Sequence, residues 1–406
     1  MSGHRESGPR AGGLAAFGFG ALRAIPPAAV ALRPRAVVAA VAGADDDAAR
    51  RFGRRLCADA GLPHAALFGD GRSALAALLA ALAREAGPDA DEVLVPAYTC
   101  WSVASAAARA GLKLRLADVD PETLDLALDD FRPSPRLAAA IGGHLFGRSL
   151  DVARLAAALR SGGRGVPLIE DAAQTWPAPR SGADFVLLSF ARGKLFPLGG
   201  GGAVLGGEMA AAIDAPARGG GWRRAALLLA EIALGRPPFF GALQRVPFLG
   251  VGATVFDPQF APRRRFHNWQ GRLALRELER LPELRRARGD VARALRPYVE
   301  AAPGWRVPRL REEDGWLRFP ALAPSRAARD RALASMRRNG VWASAMYPAC
   351  LADIPGVQPW LAAEFAPPTG ARALADRLLT LPVSPGFSPR AVAFVGEAFR
   401  RAAKEA

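Results

Sequence analysis

The chain has 406 residues, half of them apolar, and a formal net charge of +16. This length and composition exclude an intrinsically disordered protein and leave room for two domains. The basic residues are scattered and are not interleaved with aromatic side chains, so we expect no nucleic-acid partner. We find no apolar run of the roughly 20 residues that cross a bilayer and no clear signal peptide, and we expect a cytoplasmic protein.

Cysteine and histidine are too few and too widely spaced for a disulfide framework or a metal centre. The three cysteines, Cys57, Cys100 and Cys350, form no CxxC pair, and the four histidines show no metal-binding spacing. The sequence therefore predicts a reducing compartment and no metal site.

The N-terminal part begins with an irregular segment and continues with two helices. Residues 1–50 are rich in Gly, Ala, Pro and Arg and are predicted to form an arm. Apolar periodicity predicts helices over 48–61 and 72–85, the second of which follows a turn at Gly69-Asp70-Gly71. Such a turn offers free N–H groups and the positive end of a helix dipole to a phosphate, although an ordinary turn can have the same sequence.

Short apolar strands alternate with helices over residues 51–266, the predicted large domain. Strands are predicted at 93–96, 112–119, 137–141, 166–169, 185–189 and 202–206, and helices at 102–110 and 152–159. This alternation is typical of an α/β fold with a mainly parallel sheet flanked by helices. Ligands of such sheets bind beyond the carboxyl ends of the strands, which is where Asp171, Ser189 and Lys194 are expected.

Residues 222–260 interrupt the alternation with an apolar helix at 225–234 and two proline-rich stretches. We interpret this insert as a cover that packs on the core or on a second subunit. The alternative is peripheral contact with a membrane or with a lipid-linked substrate.

The C-terminal part is predicted to be a smaller α/β domain over 297–406, joined to the large domain by a long helix at 267–296. Strands are predicted at 317–321, 341–345 and 378–382, and helices at 327–339 and 389–403.

Lysine is rare in this chain, since only Lys113, Lys194 and Lys404 contribute to the 54 Lys and Arg residues. Arginine cannot replace an amine that must lose its proton and attack a carbonyl. Lys194 lies between an apolar strand and the glycine run 199–202. This position is suited to a lysine that forms a Schiff base.

An enzyme that uses pyridoxal 5'-phosphate needs an acid under the ring nitrogen, a phosphate cradle and a cover for the ring, in addition to the lysine. Asp171, after an apolar strand, is the candidate acid. The candidates for the cradle are Gly71, Arg72, Ser73 and Ser189, and those for the cover are Tyr98, Cys100 and Trp101.

Five motifs occur in an order that resembles the DegT family of pyridoxal phosphate-dependent sugar aminotransferases, which have the fold type I of aspartate aminotransferase. They are Gly-Asp-Gly-Arg-Ser-Ala-Leu (69–75), Val-Pro-Ala-Tyr-Thr-Cys (95–100), Asp-Val-Asp-Pro-Glu-Thr-Leu (118–124), Glu-Asp-Ala-Ala-Gln (170–174) and Ser-Phe-x-x-x-Lys (189–194). The resemblance covers about residues 65–400.

The resemblance implies a role for each matched residue. Lys194 would be the Schiff-base lysine and the proton shuttle, Asp171 would pair with the pyridinium nitrogen, and Gln174 would lie beside the ring. The phosphate would be bound by Gly71, Arg72, Ser73 and Ser189.

Three positions depart from the family pattern. Cys100, next to Trp101, stands where the family has an aromatic residue that stacks on the ring. Arg263 replaces the Asn that a partner subunit sends to the phosphate, and Ser384 replaces a late His.

The resemblance implies a homodimeric aminotransferase that moves an amino group from an amino acid, glutamate or glutamine, to a keto-sugar. The sugar would be nucleotide- or lipid-linked and would belong to cell-surface polysaccharide or secondary-metabolite biosynthesis. One alternative is another fold-type-I reaction on a non-sugar substrate. A second is a membrane-surface protein that has this fold but no activity, suggested by the charge of +16 and by residues 222–260.

Overall fold

The computed structural model contains a seven-stranded and a two-stranded β-sheet, joined by a 33-residue helix. It describes residues 24–27, 31–129, 131–147, 150–162, 165–176, 182–195, 197–213, 221–235, 240, 255–263, 265–309 and 315–406.

The elements before the long helix alternate between strands and helices, as predicted for this part of the chain. In chain order they are α1 (Pro34–Ala42), α2 (Ala48–Ala60), β1 (His64–Phe68), α3 (Gly71–Ala86), β2 (Glu92–Pro96), α4 (Trp101–Arg109), β3 (Lys113–Ala117), β4 (Leu137–Gly143), α5 (Val152–Arg160), β5 (Leu168–Asp171), β6 (Phe185–Ser189), β7 (Gly202–Gly206), α6 (Glu208–Ile213) and α7 (Trp222–Leu234).

The C-terminal part begins with the long helix. Its elements are α8 (Asn268–Glu300), β8 (Arg318–Leu322), α9 (Arg326–Arg338), α10 (Thr369–Arg377), β9 (Leu378–Pro382) and α11 (Pro389–Lys404).

The large sheet has the strand order β1-β7-β6-β5-β4-β2-β3. Strands β2 to β6 pair in parallel with their neighbours, whereas β7 is antiparallel to both β1 and β6. All five residues of β2 and of β7 are buried, as expected for strands with helices on both faces. The predicted mainly parallel sheet is therefore confirmed.

Helix α3 begins at the predicted turn and is buried along one face. Its leucines Leu75, Leu78, Leu79 and Leu82 belong to the core cluster that also contains Val93 and Ile141 of the sheet. Asp70 caps the helix, because its Oδ1 accepts a hydrogen bond of 2.7 Å from the N–H of Ser73. Sequence periodicity and capping thus agree on where this helix starts.

The long helix α8 contributes to two cores. Leu273 and Leu278 pack in a cluster with the first helices and the large sheet, whereas Val291 and Leu295 pack in the C-terminal cluster. This division allows one helix to fix the position of the two-stranded sheet β8–β9 relative to the large sheet.

The predicted strand at 341–345 is wrong. Its backbone makes only isolated bridges, Val341 with Ile25 and Ser344 with Thr380, so it joins no continuous ladder. The residues that pair with this apolar stretch lie far away in the sequence. Each of them pairs with the stretch through a single bridge.

The predicted helix of the insert is present as α7, which buries Ala225, Leu228 and Ile232 against the core. The proline-rich stretches predicted at 237–240 and 247–250 lie outside the described residues, apart from Phe240. Phe240 is buried and meets Trp342 edge to face, with ring centroids 5.3 Å apart. In the part of the chain that the structure describes, no helix is long and apolar enough to cross a membrane.

Candidate active site

A cavity of about 800 Å³ opens at the carboxyl ends of β4, β5 and β6, whose last residues Gly143, Asp171 and Ser189 line it. This is the edge of the sheet at which the sequence predicted a ligand. The cavity is large enough for a cofactor together with a small substrate.

Seven of the nine predicted site residues line the cavity: Gly71, Arg72, Cys100, Asp171, Gln174, Ser189 and Lys194. Ser73 does not, because it is 2% exposed and its hydroxyl accepts the N–H of Arg263 at 2.8 Å. Trp101 does not line the cavity either and packs against the core cluster of the large sheet.

The other residues that the sequence singled out lie away from the cavity lining. Tyr98 is buried and meets Tyr347 edge to face at 5.4 Å. Ser384 is buried, and its hydroxyl accepts the N–H of Gly386. Arg263 lies beside the turn of its own chain, since its carbonyl accepts the N–H of Gly69 at 2.7 Å.

The start of α3 forms a cradle for an anion. The N–H groups of Gly71 and Arg72 belong to the first turn of α3, where no carbonyl of the helix itself accepts them, and lie at the positive end of the helix dipole. A Cβ atom on Gly71 would lie 3.0 Å from Cβ of Ser189, so a side chain there would fill the space between the turn and β6. These groups fit a phosphate.

Lys194 follows β6 in a tight turn. Gly193 has a φ of 76°, which suits glycine, and the N–H of Lys194 donates to the carbonyl of Ala191 at 3.2 Å. On the far side of the turn, Gln270 of α8 donates to the carbonyls of Leu198 and Gly200, both at 2.9 Å. The lysine is therefore held between a strand and a fixed glycine run.

Asp171 lines the cavity together with Lys194 and interacts with its charge. Its Oδ1 accepts the N–H of Ala173 at 3.0 Å. Burial raises the pKa of Asp171, while that hydrogen bond and the positive charge of Lys194 act in the opposite direction. A cation placed against this carboxyl would compensate for its lost hydration, which fits the protonated ring nitrogen of pyridoxal phosphate.

His144 and Glu170 form a buried pair behind Asp171, with His144 Nε2 2.6 Å from Glu170 Oε1. The N–H of Leu150 donates to Nδ1 of His144 at 2.8 Å, so Nδ1 carries no proton. The ring is therefore the neutral Nε2–H tautomer and donates to Glu170. This arrangement fixes the ring where it lines the cavity.

Gln174 is held at both ends of its amide. Its Oε1 accepts the N–H of Phe146 at 3.0 Å, and its Nε2 donates to the hydroxyl of Tyr347 at 2.9 Å. One of the two Nε2 hydrogens therefore remains for another acceptor, such as a hydroxyl on a cofactor ring.

Three further residues also line the cavity: Glu231, Arg318 and Tyr347. Arg318 donates from Nη1 to the carbonyl of Pro27 at 2.9 Å, and its Nε has no partner in the described chain. Burial lowers the pKa of Arg318 to about 10. The motif Arg-Phe-Pro (318–320) was a signal for Arg318, and Glu231 is the only acidic residue in the sequence of α7.

The insert forms one wall of the cavity. Its lining residues are Glu231, Leu234, Gly235, Phe240 and Val255. The first two belong to α7, whose buried face anchors the wall to the core.

Among the described residues, neither a metal cluster nor a disulfide contributes to the site. No group of three or more His, Cys, Asp or Glu side chains within the described ranges could hold a metal ion. All three cysteines are free.

The model of the DegT/DnrJ/EryC1/StrS aminotransferase family matches residues 44–400. The chain belongs to this family. Members of the family use pyridoxal phosphate, so the predicted family, fold class, aminotransferase class and cofactor are confirmed.

Curated relatives match shorter segments. The chain is 34% identical over 167 residues to the 3-amino-5-hydroxybenzoate synthase of Amycolatopsis mediterranei. This match covers 39% of this chain and 42% of the relative. It is 36% identical over 145 residues to the UDP-2-acetamido-2-deoxy-3-oxo-D-glucuronate aminotransferase of Pseudomonas aeruginosa. This second match covers 33% of this chain and 40% of the relative. The chain thus spans less than half the length of these relatives.

Solved structures match nearly the whole chain. The Helicobacter pylori aminotransferase PseC, involved in the biosynthesis of pseudoaminic acid, has a TM-score of 0.73 at 16% identity and covers 95% of this chain and 100% of its own. The pyridoxal phosphate form of Spr1654 from Streptococcus pneumoniae has a TM-score of 0.71 at 18% identity, and the match covers 94% of this chain and 99% of that chain. At these identities the likeness concerns the fold.

Proposed function

We propose that this protein transfers an amino group from an amino acid to a keto-sugar with pyridoxal phosphate as its cofactor. The observation that carries the proposal is that Lys194, Asp171 and the turn at Gly71 line one cavity. They come from three separate stretches of the chain and match the three needs of the cofactor, which are an amine, an acid and a phosphate cradle.

Bound pyridoxal phosphate supplies a carbon that carries the amino group between substrates and a ring that accepts electrons. Lys194 holds the cofactor and then, with its amine free, moves a proton at the substrate carbon. Asp171 keeps the ring nitrogen protonated. The N–H groups of Gly71 and Arg72, with the hydroxyl of Ser189, bind the phosphate.

The donor amino acid is proposed to bind through its carboxylate at Arg318. A guanidinium offers a planar fork that matches a carboxylate, and Arg318 has its Nε without a partner in the described chain. The positive charge of Arg192, which also lines the cavity, acts on Arg318 and would add to the attraction of an anionic donor. We propose glutamate or glutamine as the donor.

The acceptor is proposed to be a nucleotide- or lipid-linked keto-sugar of polysaccharide or secondary-metabolite biosynthesis. The Pseudomonas relative acts on a UDP-linked keto-sugar derivative, which supports this class. The Amycolatopsis relative is named for a hydroxybenzoate product, and this favours a non-sugar ketone as the second candidate.

Trapping the cofactor on its lysine tests the proposal. Borohydride reduction of the protein with pyridoxal phosphate should attach the cofactor to Lys194, and peptide mass spectrometry can distinguish this residue from Lys113 and Lys404, the only other lysines. Lys194→Ala should lose the visible absorbance of the bound cofactor, whereas Lys404→Ala, at an exposed position, should keep it. A wild-type protein that takes up no pyridoxal phosphate would refute the proposal.

The homodimer, the cytoplasmic location and the membrane contact of residues 222–260 stay predictions. Trp222, Leu227, Leu234 and Val255 of this segment are large apolar residues with exposed side chains. An exposed apolar face is suited equally to a second subunit and to a membrane surface.

A further inference from the structure

Glu231 is a carboxylate in a largely apolar helix. It is the only acidic residue among the 13 of α7, and it follows Leu227, Leu228 and Leu229 closely in the sequence. Its side chain lines the cavity, and its Oε2 is buried without a hydrogen-bond partner in the described chain.

The burial of this oxygen is unfavourable unless something binds it. A carboxylate removed from water loses hydration that hydrogen bonds must replace. Burial raises the pKa of Glu231, and the charge of Arg192 opposes this effect only in part. The carboxylate is therefore prepared for a ligand that enters the cavity.

The surroundings of Glu231 select the kind of ligand. The phosphate of the cofactor and the carboxylate of the donor are already assigned to the turn at Gly71 and to Arg318, whereas a carboxylate such as that of Glu231 accepts hydrogen bonds from hydroxyl groups. Leu234, Phe240 and Val255 of the same wall are apolar and offer no competing acceptor from their side chains. The remaining ligand of the proposed reaction is the acceptor.

We propose that Glu231 is a specificity residue that accepts hydrogen bonds from the hydroxyl groups of the keto acceptor. This inference rests on the proposed function and assigns a role to the insert, since α7 would place a recognition group in the active site. Glu231 acts on the acceptor half of the reaction and leaves cofactor and donor binding untouched.

The test separates the two half-reactions in Glu231→Gln. The first, in which glutamate converts the cofactor to its amino form, should keep the wild-type rate. The second, in which a UDP-linked keto-hexose restores the aldehyde form, should show a KM raised by about 10- to 100-fold, the loss typical of a hydrogen bond to a charged acceptor. Pyruvate, a keto acceptor without hydroxyl groups, should react equally with both proteins. Glu279→Gln, at an exposed position on α8, is the matched control.

A structural role predicts a different result. Burial of the carboxylate outweighs its attraction to Arg192, so the apo form of Glu231→Gln should unfold at the same temperature as the wild type or a higher one. A lower unfolding temperature, or an equal loss in both half-reactions, would overturn the inference. If the wild type uses the keto-hexose and Glu231→Gln has the same KM for it, the inference is overturned as well. The proposed function would stand in that case. A wild type that uses no keto-hexose would overturn both.

Discussion

Gly202 and Gly71 are in direct backbone contact, since a Cβ atom on Gly202 would lie 2.5 Å from Cα of Gly71. Strand β7 therefore abuts the start of α3, where the proposed phosphate cradle lies. Two glycines far apart in the sequence are needed together for the cradle to keep its position beside Ser189.

Gly202→Ala should displace the start of α3 and weaken cofactor binding. Overpacking of this kind costs about 1–3 kcal/mol of stability. We expect the free energy of unfolding, measured in urea, to fall by a similar amount. The dissociation constant for pyridoxal phosphate should rise by about tenfold or more. Gly207→Ala, one residue beyond β7, is the control because its Cβ would meet nothing within 4 Å. Equal behaviour of the two variants would contradict the proposed contact.

Asp171→Asn should have opposite effects on the apo and holo forms. Burial raises the pKa of Asp171 in the folded protein, so its stabilising form is the protonated one. That contribution is complete below the unfolded pKa and is lost as the pH rises through the folded pKa. The apo variant should therefore be more stable than the wild type at pH 7, and this difference should disappear on acidification.

The holo form of the same variant should be impaired, because the ring nitrogen loses its counter-charge. We expect a dissociation constant for pyridoxal phosphate about 10- to 100-fold higher. Thermal unfolding over a pH series, with and without cofactor, measures both effects, and the exposed Asp46→Asn is the control. A fall in apo stability at pH 7 would show that Asp171 is a structural residue.

Arg318→Gln should weaken donor binding without loss of the cofactor. Removal of the guanidinium takes away the proposed carboxylate partner, and we expect the KM for glutamate to rise by about 10- to 100-fold. Cofactor absorbance should be unchanged. Arg390→Gln, an exposed variant on α11, should match the wild type in both measurements. If the KM for glutamate stays constant, the donor carboxylate binds elsewhere.

Cys100 should react with iodoacetamide in the apo protein and be protected by pyridoxal phosphate. It lines the cavity, whereas Cys57 and Cys350 are buried, and burial raises the pKa of both buried thiols, that of Cys350 to about 11. Peptide mass spectrometry gives the modified position, and Cys100→Ser should remain unlabelled. Labelling that is the same with and without cofactor would place the ring away from Cys100.

The fold could be predicted largely because its strands are short and apolar, and several of them begin or end at glycine or proline. Strands β6, β7 and β9 lie where the sequence analysis placed them, and the long helix differs by a few residues at its ends. The prediction of a strand at 341–345 failed because the apolar pattern of these residues indicates burial and not the presence of a partner strand. Its bridges run to Ile25 and Thr380, which no local signal connects to it.

The site could be predicted only where a motif follows a strand. Asp171, Ser189 and Lys194 were found in this way. Arg318 and Glu231 enter the cavity from the C-terminal part and from the insert, and their positions depend on how these parts pack on the large sheet. The prediction of Trp101 as a site residue failed. Its place beside a motif residue in the sequence does not determine the direction of its side chain, which packs against the core cluster.

Gln174 connects the two parts of the molecule at the point where the cofactor is expected. Phe146, whose N–H it accepts, also receives the N–H of Leu317 at 2.8 Å just before β8, and Tyr347, to which it donates, lies beyond α9. A displacement of the C-terminal part that moved Tyr347 or Leu317 would therefore reach this amide. A spectroscopic shift of the bound cofactor would report such a displacement.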